Sequence, residues 1–366
     1  MNEGPNVLQV LGRSAGGIAR HVAQITAALD SETMKVDVAG PPDLPVAMPK
    51  PVIPIDIPNG PLGHTRVVGR LKSYLRQGHY DVVHAHGLRA GIDTALAARP
   101  LGIPSLLTVH NLVRPDVSGR ARAALYKWAE PLSVRLNTHS FAVSEDIARH
   151  LRAMSPKTAN KIEVLYLGIG DAPEVLKTAE QVRKEVEVDD NAQMIVTASR
   201  LSSQKALPVM LQALSALRDD TVLVVLGQGP DEERLKMMAL AMGLGGRVRW
   251  LGWRDDIADI IAAADVFCLS SNWEGVPLAA QEAVLLGTPI VSTDVGGMGE
   301  LVTDHRSGRL VPKGDAGALA GALHDVLSSQ EVVDRYTEQA VVDLRRRFST
   351  DRMLARLRDA YQWRAR

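Results

Sequence analysis

SNWEGVPLAAQEAVLLGTPIVSTDVGGMGE, residues Ser271–Glu300, is the stretch whose reading decides the fold. Just before it, Val266-Phe267-Cys268-Leu269 is short, apolar and β-prone, a buried strand that ends in the polar loop Ser270–Gly275. A helix follows, with Pro277 in its first turn, where a missing N–H costs nothing. The open N–H groups from Gly275 to Ala279 then face outward and, with the helix dipole, suit a phosphate. Glu274 stands just before this helix and Glu282 about one and a half turns inside it, so the two carboxylates reach different parts of one ligand. Thr288-Pro289-Ile290-Val291 returns the chain through a second parallel strand to the backbone-exposing Gly296-Gly297.

Strand and helix alternate in the same way along the rest of the chain. Val7–Leu11 reads as a strand, Gly12–Gly17 as a loop with three glycines and Ile18–Leu29 as a helix. A dinucleotide site wants G-x-G-x-x-G here and an acid at the end of the next strand. The spacing is instead Gly12, Gly16, Gly17, and Asp37 lies inside the strand Lys35–Ala39, which weakens a dehydrogenase reading. The proline-rich run Pro41–Pro61 reads as a surface loop without regular structure. Asp81–Ala85 and Ser105–Val109 are strands that deliver His86 and His110 at their C-terminal ends, where open α/β sheets bind ligands; His84 reads as inward-facing and structural. Phe141–Ser144 and Ile162–Leu167 complete the first domain, and the polar, charged run Gly168–Asn191 reads as a linker with a helix.

The second domain opens with the strand Met194–Ala198, which carries Arg200 at its end and Lys205 five residues later. Two cations at a strand-to-helix crossing suit a diphosphate. Thr221–Leu226 leads to Gly227-Gln228-Gly229-Pro230, a turn that brings backbone close to a ligand, and Val248–Leu251 leads to Gly252-Trp253-Arg254. Asp255–Ala263 is a helix, and from Ala316 the chain is helical through a final segment, Asp343–Arg366.

Glu274, seven residues, Glu282, then Gly-Thr-Pro-Ile-Val and Val-Gly-Gly resemble the nucleotide-sugar site of GT-B glycosyltransferases, above all retaining family 4 enzymes. The resemblance implies an α/β protein with two Rossmann-like parallel-sheet domains facing each other across a cleft. Residues 1–168 would form the acceptor domain, 169–345 the nucleotide-sugar domain, and 346–366 a helix crossing back to the first. It puts Glu274 on sugar hydroxyls, Glu282 on the ribose, and the amides of Gly275, Val276, Pro277 and Leu278 (proline as a space-holder without N–H) around sugar and phosphate oxygens. By the same resemblance Arg200 and Lys205 would neutralise the leaving diphosphate, Gly16 and Gly17 would lie beside the donor phosphates and acceptor, Gly229 and Trp253 would border the nucleotide, and His110 would stand near the transferred sugar. Gly299 departs from the pattern, since relatives often have proline there. The implied reaction moves a hexose from a UDP- or GDP-sugar to an acceptor hydroxyl with retention, with no metal or other cofactor required and the nucleotide-sugar as co-substrate.

Lysine plus arginine total 42 and aspartate plus glutamate 42, so no net charge attracts nucleic acid. The single cysteine, Cys268, lies in an apolar strand, which excludes an internal disulfide and makes it a small core residue. The N-terminus lacks the basic start and long apolar run of a secretory leader, and no run reaches membrane-spanning length, so a cytoplasmic enzyme is expected. Gly119–Asn137 reads as a basic amphipathic helix with Ala121, Leu125, Trp128, Leu132 and Leu136 on one side. That pattern suits an ordinary surface helix or peripheral contact with an anionic membrane at its inner face. Two other readings stand beside transfer: an epimerase of the same architecture, and a nucleotide-sugar-binding protein without turnover.

Overall fold

A computed structural model of the chain describes residues 4–13, 17–31, 33–44, 46–58, 62–112 and 120–364, the side chains of 120–127 and 364 excepted. By its internal contacts the chain divides into two units, Met1–Gly168 with Phe348–Arg366, and Ile169–Arg347.

The first unit is built on seven parallel strands: β1 (Asn6–Leu11), β2 (Lys35–Gly40), β3 (Ile53–Pro54), β4 (Val82–His86), β5 (Ser105–Val109), β6 (His139–Ala142) and β7 (Ile162–Val164). Their order is β3-β2-β1-β4-β5-β6-β7, so the direction of winding reverses between β1 and β4. Because β1 is covered on both faces, its residues Val7–Leu11 are all buried, and apolar except for Gln9, rather than alternating. Val7 faces a core with Ile25, Val82, Leu106 and Phe141, while Leu8 and Val10 face another with Ile55, Leu71, Leu75 and Val83.

The proline-rich segment departs from the expected loop. Ile53 pairs with Ala39 and Pro54 with Gly40, and Ile55 and Ile57 are buried in the core. Prolines disguise this strand because they are tolerated at a sheet edge, where one N–H row has no partner to lose.

The second unit has six parallel strands: β8 (Gln193–Ala198), β9 (Thr221–Leu226), β10 (Val248–Gly252), β11 (Val266–Leu269), β12 (Ile290–Thr293) and β13 (Arg309–Val311). Their order, β10-β9-β8-β11-β12-β13, is the doubly-wound Rossmann order, with its reversal between β8 and β11. Cys268 is buried in this core, where desolvation pushes its thiol up and keeps it protonated. The segment expected to be a linker belongs to this unit. Helix Ala179–Glu185 buries Val182, and the Arg183 guanidinium donates to Asp265 and to the carbonyls of Asp189 and Ala192.

The run from Ala316 is helical, as expected, but the final segment Asp343–Arg366 is divided between two helices. Gln330–Arg347 stays with the second unit, the chain turns at Phe348-Ser349, and Thr350–Arg364 lies on the first unit's sheet through Met353, Leu357, Ala360 and Tyr361. Arg356 fastens it by two 2.6 Å hydrogen bonds to Glu163 in β7. Burial pushes the Glu163 carboxyl up, but the bonds from His139 and Arg356 outweigh it and hold the group at about 2.

Candidate donor site and histidine cluster

In the second unit the reversal point gathers the residues expected to bind a donor. Beside the end of β8, the turn Ser203–Lys205 carries Lys205 toward the end of β11, and Lys205 Nζ lies 2.6 Å from Glu274 Oε1. Ser271 Oγ donates to the same carboxylate oxygen. Lys205 is 16% and Glu274 5% exposed at the side chain, so this is a largely desolvated ion pair. The two loops are tied together by Asn272 N to the Gln204 carbonyl at 2.7 Å, Gln204 Nε2 to the Trp273 carbonyl at 3.0 Å, and Ser270 Oγ to the Lys205 carbonyl at 3.0 Å. Ala206 takes a left-handed conformation, φ 46°, to swing the chain from Lys205 into helix Leu207–Ser215. For a residue with a Cβ that geometry is strained.

The helix after β11 starts one residue later than expected. Pro277 has φ −66° and ψ 131°, so it is the cap residue, and the helix runs Leu278–Leu285. The amides of Leu278 and Ala279 belong to the set that no helix satisfies internally. Glu282 follows one turn in, half-buried. The Gly296-Gly297 loop closes the site from β12: Gly297 N donates to the Gly275 carbonyl at 2.9 Å. Gly296 has φ 56°, and a Cβ there would stand 1.7 Å from the Glu274 carbonyl oxygen. Only glycine allows this approach, so the paired glycines hold the Glu274 loop.

Not every expected residue joins this group. Arg200 is exposed just past β8. Trp253, beyond β10, is 63% exposed. Gly229 has a packing reason of its own, since a Cβ would meet the Leu201 carbonyl oxygen at 2.1 Å. Ser271 of this site, and Gln281 on the helix that follows it, were not singled out from the sequence. Ser271 shares the Glu274 carboxylate, and Gln281 is fully buried on the helix with neither amide atom partnered among the described residues. A hydroxyl three residues before the glutamate was a readable signal for the first; an amide among apolar helix residues gives none for the second.

In the first unit, Gly17 opens helix Gly17–Leu29, and Gly16 lies outside the described residues. His86 ends β4 and His110 follows β5, and His86 Nδ1 is 3.1 Å from His110 Nε2. His21, from the helix after β1, joins them with ring centres 5.6 Å from His86 and 5.3 Å from His110. Burial removes the solvation of an imidazolium and pushes His21 and His84 down to about 3 and His86 and His110 well below the ordinary value, so all four are neutral. His84 is structural, as its position suggests, bonding Tyr361 Oη and Thr108 Oγ1 at 2.7 Å each.

Of the apolar stripe expected on helix Arg120–Leu136, the side chains of Ala121 and Leu125 lie outside the described residues, and Trp128 and Leu132 are not on its buried face. Glu130, Ser133, Val134 and Asn137 are inward, Asn137 Nδ2 donating to the carbonyls of Gly91 and Ser133, while Trp128 is 78% and Leu132 43% exposed. Asn137, just past the helix end, is what bonds the Leu88–Ala98 helix. Among the described residues no helix is long and apolar enough to cross a membrane.

Residues 178–342 match the family model "Glycosyl transferases group 1" and residues 15–172 that of "Glycosyltransferase Family 4". The UDP-Gal:alpha-D-GlcNAc-diphosphoundecaprenol alpha-1,3-galactosyltransferase of Escherichia coli is 30% identical over 264 residues, 69% of this chain and 68% of that protein. The chain belongs to the GT-B glycosyltransferases. As a glycosyltransferase it handles a nucleotide-sugar donor. The phosphatidyl-myo-inositol mannosyltransferase of Mycobacterium leprae is 28% identical over 348 residues, 90% of this chain and 89% of that one. Among solved structures the fold is shared with Anabaena HepE in complex with UDP and glucose, at TM-score 0.83 and 20% identity over 97% of this chain and 99% of that one. It is shared also with sucrose-phosphate synthase from Thermosynechococcus elongatus, at TM-score 0.84 and 18% identity over 98% of each.

Proposed function

We propose that this glycosyltransferase moves a hexose from a UDP- or GDP-sugar to a hydroxyl of a glycolipid or cell-envelope glycan, with retention of configuration and without a metal. The observation that carries the reading is the buried Lys205–Glu274 pair beside the helix start Leu278, at the reversal point of the second sheet. In this reading the amides from Gly275 to Leu278, Lys205 and the exposed Arg200 meet the diphosphate, while Glu274 and Glu282 accept hydroxyls of sugar and ribose. The bond from the anomeric carbon to the diphosphate breaks, the acceptor oxygen bonds to the same face, and the acceptor proton passes to the leaving phosphate oxygen. Charge that other enzymes give to a divalent ion falls here on Lys205 and Arg200. One Glu274 oxygen already accepts from Lys205 and Ser271, which suits a positioning carboxylate better than a nucleophile.

The first unit supplies the acceptor and His110. The relatives named for diphosphoundecaprenol and phosphatidylinositol acceptors support a lipid-linked hydroxyl, and with it a cytoplasmic protein that meets the inner membrane face. A thermal-shift panel of UDP, GDP, ADP, their sugar conjugates and NAD, each with and without EDTA, tests the reading. A cognate nucleotide at a hundredfold over Kd adds about 2.7 kcal/mol to folded-state stability. Response to one nucleoside diphosphate, unchanged by EDTA, is expected. Response to NAD alone, or full transfer by both Glu274→Gln and Lys205→Ala, would overturn it.

A further inference from the structure

His21, His86 and His110 stand at the other reversal point, between β1 and β4, and no part of the proposed donor chemistry uses them together. His21 is 2% exposed, yet neither of its ring nitrogens has a hydrogen-bond partner. A buried polar group left unpaired costs about 1–3 kcal/mol, so an orphaned imidazole calls for a partner. The neighbouring rings are engaged with each other, His86 Nδ1 lying 3.1 Å from His110 Nε2, and neither partners His21. Gln9 Nε2 donates to Tyr361 Oη at 2.8 Å, which turns Gln9 Oε1 toward His86 Nε2 at 2.7 Å. A carboxamide oxygen only accepts, so His86 carries its proton on Nε2, and its Nδ1 lone pair faces the cluster, accepting from His110 Nε2; a metal there takes the Nδ1 lone pair and moves the His110 proton to Nδ1.

We propose that His21, His86 and His110 form a binding site for a zinc-class divalent ion. A zinc ion about 2.05 Å from each nitrogen lies about 3.2 Å from each ring centre, and three rings spread tetrahedrally then have centres about 5.2 Å apart. The measured separations are 5.6, 5.3 and 5.4 Å. The three ligand nitrogens lie within 4.8 Å of one another, and a swing of up to about 1.5 Å brings them to a tetrahedral edge of about 3.3 Å. The bond from His86 Nε2 to Gln9 is the outer support that metal-bound histidines have, fixing tautomer and ring plane. Three neutral imidazoles select zinc, cobalt or nickel over magnesium and calcium, which want oxygen. His110 is half-buried and gives the ion its entry, and the fourth position falls to water.

Occupancy engages the His110 nitrogen. Resting on the proposed role of His110 at the sugar, bound zinc inhibits transfer, so the site is regulatory rather than catalytic.

The test is a titration of the EDTA-stripped full chain with Co2+, followed by its visible absorption. One Co2+ per chain, with the intense bands of a four-coordinate site, displaced by Zn2+ and untouched by Mg2+, is expected. His21→Leu should weaken binding by about 100-fold or more while leaving the melting temperature in EDTA equal or higher, because His21 has no hydrogen bond to lose. If His21→Leu does not fold, His110→Ala reads the same loss. Absence of four-coordinate bands, or binding that survives both substitutions and so belongs to exposed histidines such as His79 and His305, overturns the proposal. Tetrahedral Co2+ without inhibition of transfer upholds the site and removes His110 from the sugar.

Discussion

Replacing Lys205 by methionine keeps the length of the stem and removes the charge. The pair it breaks has Nζ 2.6 Å from Glu274 Oε1, which at an effective dielectric of 20 is a gross attraction of about 6 kcal/mol, offset by the desolvation of both ions. Deleting one partner leaves Glu274 charged and buried, held by Ser271, and should destabilise the second unit by about 3–5 kcal/mol. In a Glu274→Gln background no buried charge is orphaned, so the same substitution should cost about 1 kcal/mol, a coupling of about 2–4 kcal/mol. On catalysis the loss of a cation facing the leaving diphosphate should lower kcat by about 100- to 1,000-fold, with KM for the donor changed much less. Urea melts of the four proteins in the cycle, with initial rates at saturating donor, measure both quantities. Additive destabilisation would show that the pair does not interact in solution. A kcat within twofold of the parent in a folded Lys205→Met protein would remove Lys205 from the charge-stabilising role.

Four further outcomes follow from particular contacts. His21 and His84, at about 3 when folded against 6.5 when unfolded, bind fewer protons in the native state, so stability is full above pH 6.5. It should fall by about 1.4 kcal/mol per pH unit for each between pH 6.5 and 3, seen as a dropping urea midpoint of the first unit. Gly296→Ala drives a Cβ to 1.7 Å from the Glu274 carbonyl and should cost over about 2 kcal/mol and weaken UDP or GDP binding in calorimetry, while Gly314→Ala, with positive φ but open space, should leave binding unchanged. Tyr361→Phe deprives Gln9 and His84 of their shared hydroxyl and should lower first-unit stability by about 1–3 kcal/mol in chemical melts. Trp128→Asp with Leu132→Asp should abolish sedimentation with anionic vesicles at low salt while leaving the melting temperature unchanged, since both side chains are exposed; equal sedimentation would refute membrane contact through this helix.

Much of this protein was legible in one dimension because its elements are local. Apolar strands covered on both faces, a glycine pair after β12 and a glutamate beside a helix start announce themselves within thirty residues, and they settle an α/β chain with parallel sheets and a phosphate-type loop. What sequence could not settle is which distant residues share a point. Lys205 and Glu274 are 69 positions apart and meet because β8 and β11 are neighbours at the reversal of the sheet, a matter of strand order that no spacing encodes. The edge strand at Ile53 was hidden, and the break at Phe348 was marked only by the resemblance and not by periodicity, because helical and proline-rich patterns extend across positions where only packing decides. His86 and His110 could be read as strand-end residues, but His21 sits among the apolar positions of an ordinary helix. Only when β4 and β5 are laid beside β1 do the three imidazoles converge, and burial then keeps them neutral. Local sequence determines the elements and their exposed backbone groups; tertiary structure alone decides which charges pair, which polar groups are orphaned, and so where the chemistry lies.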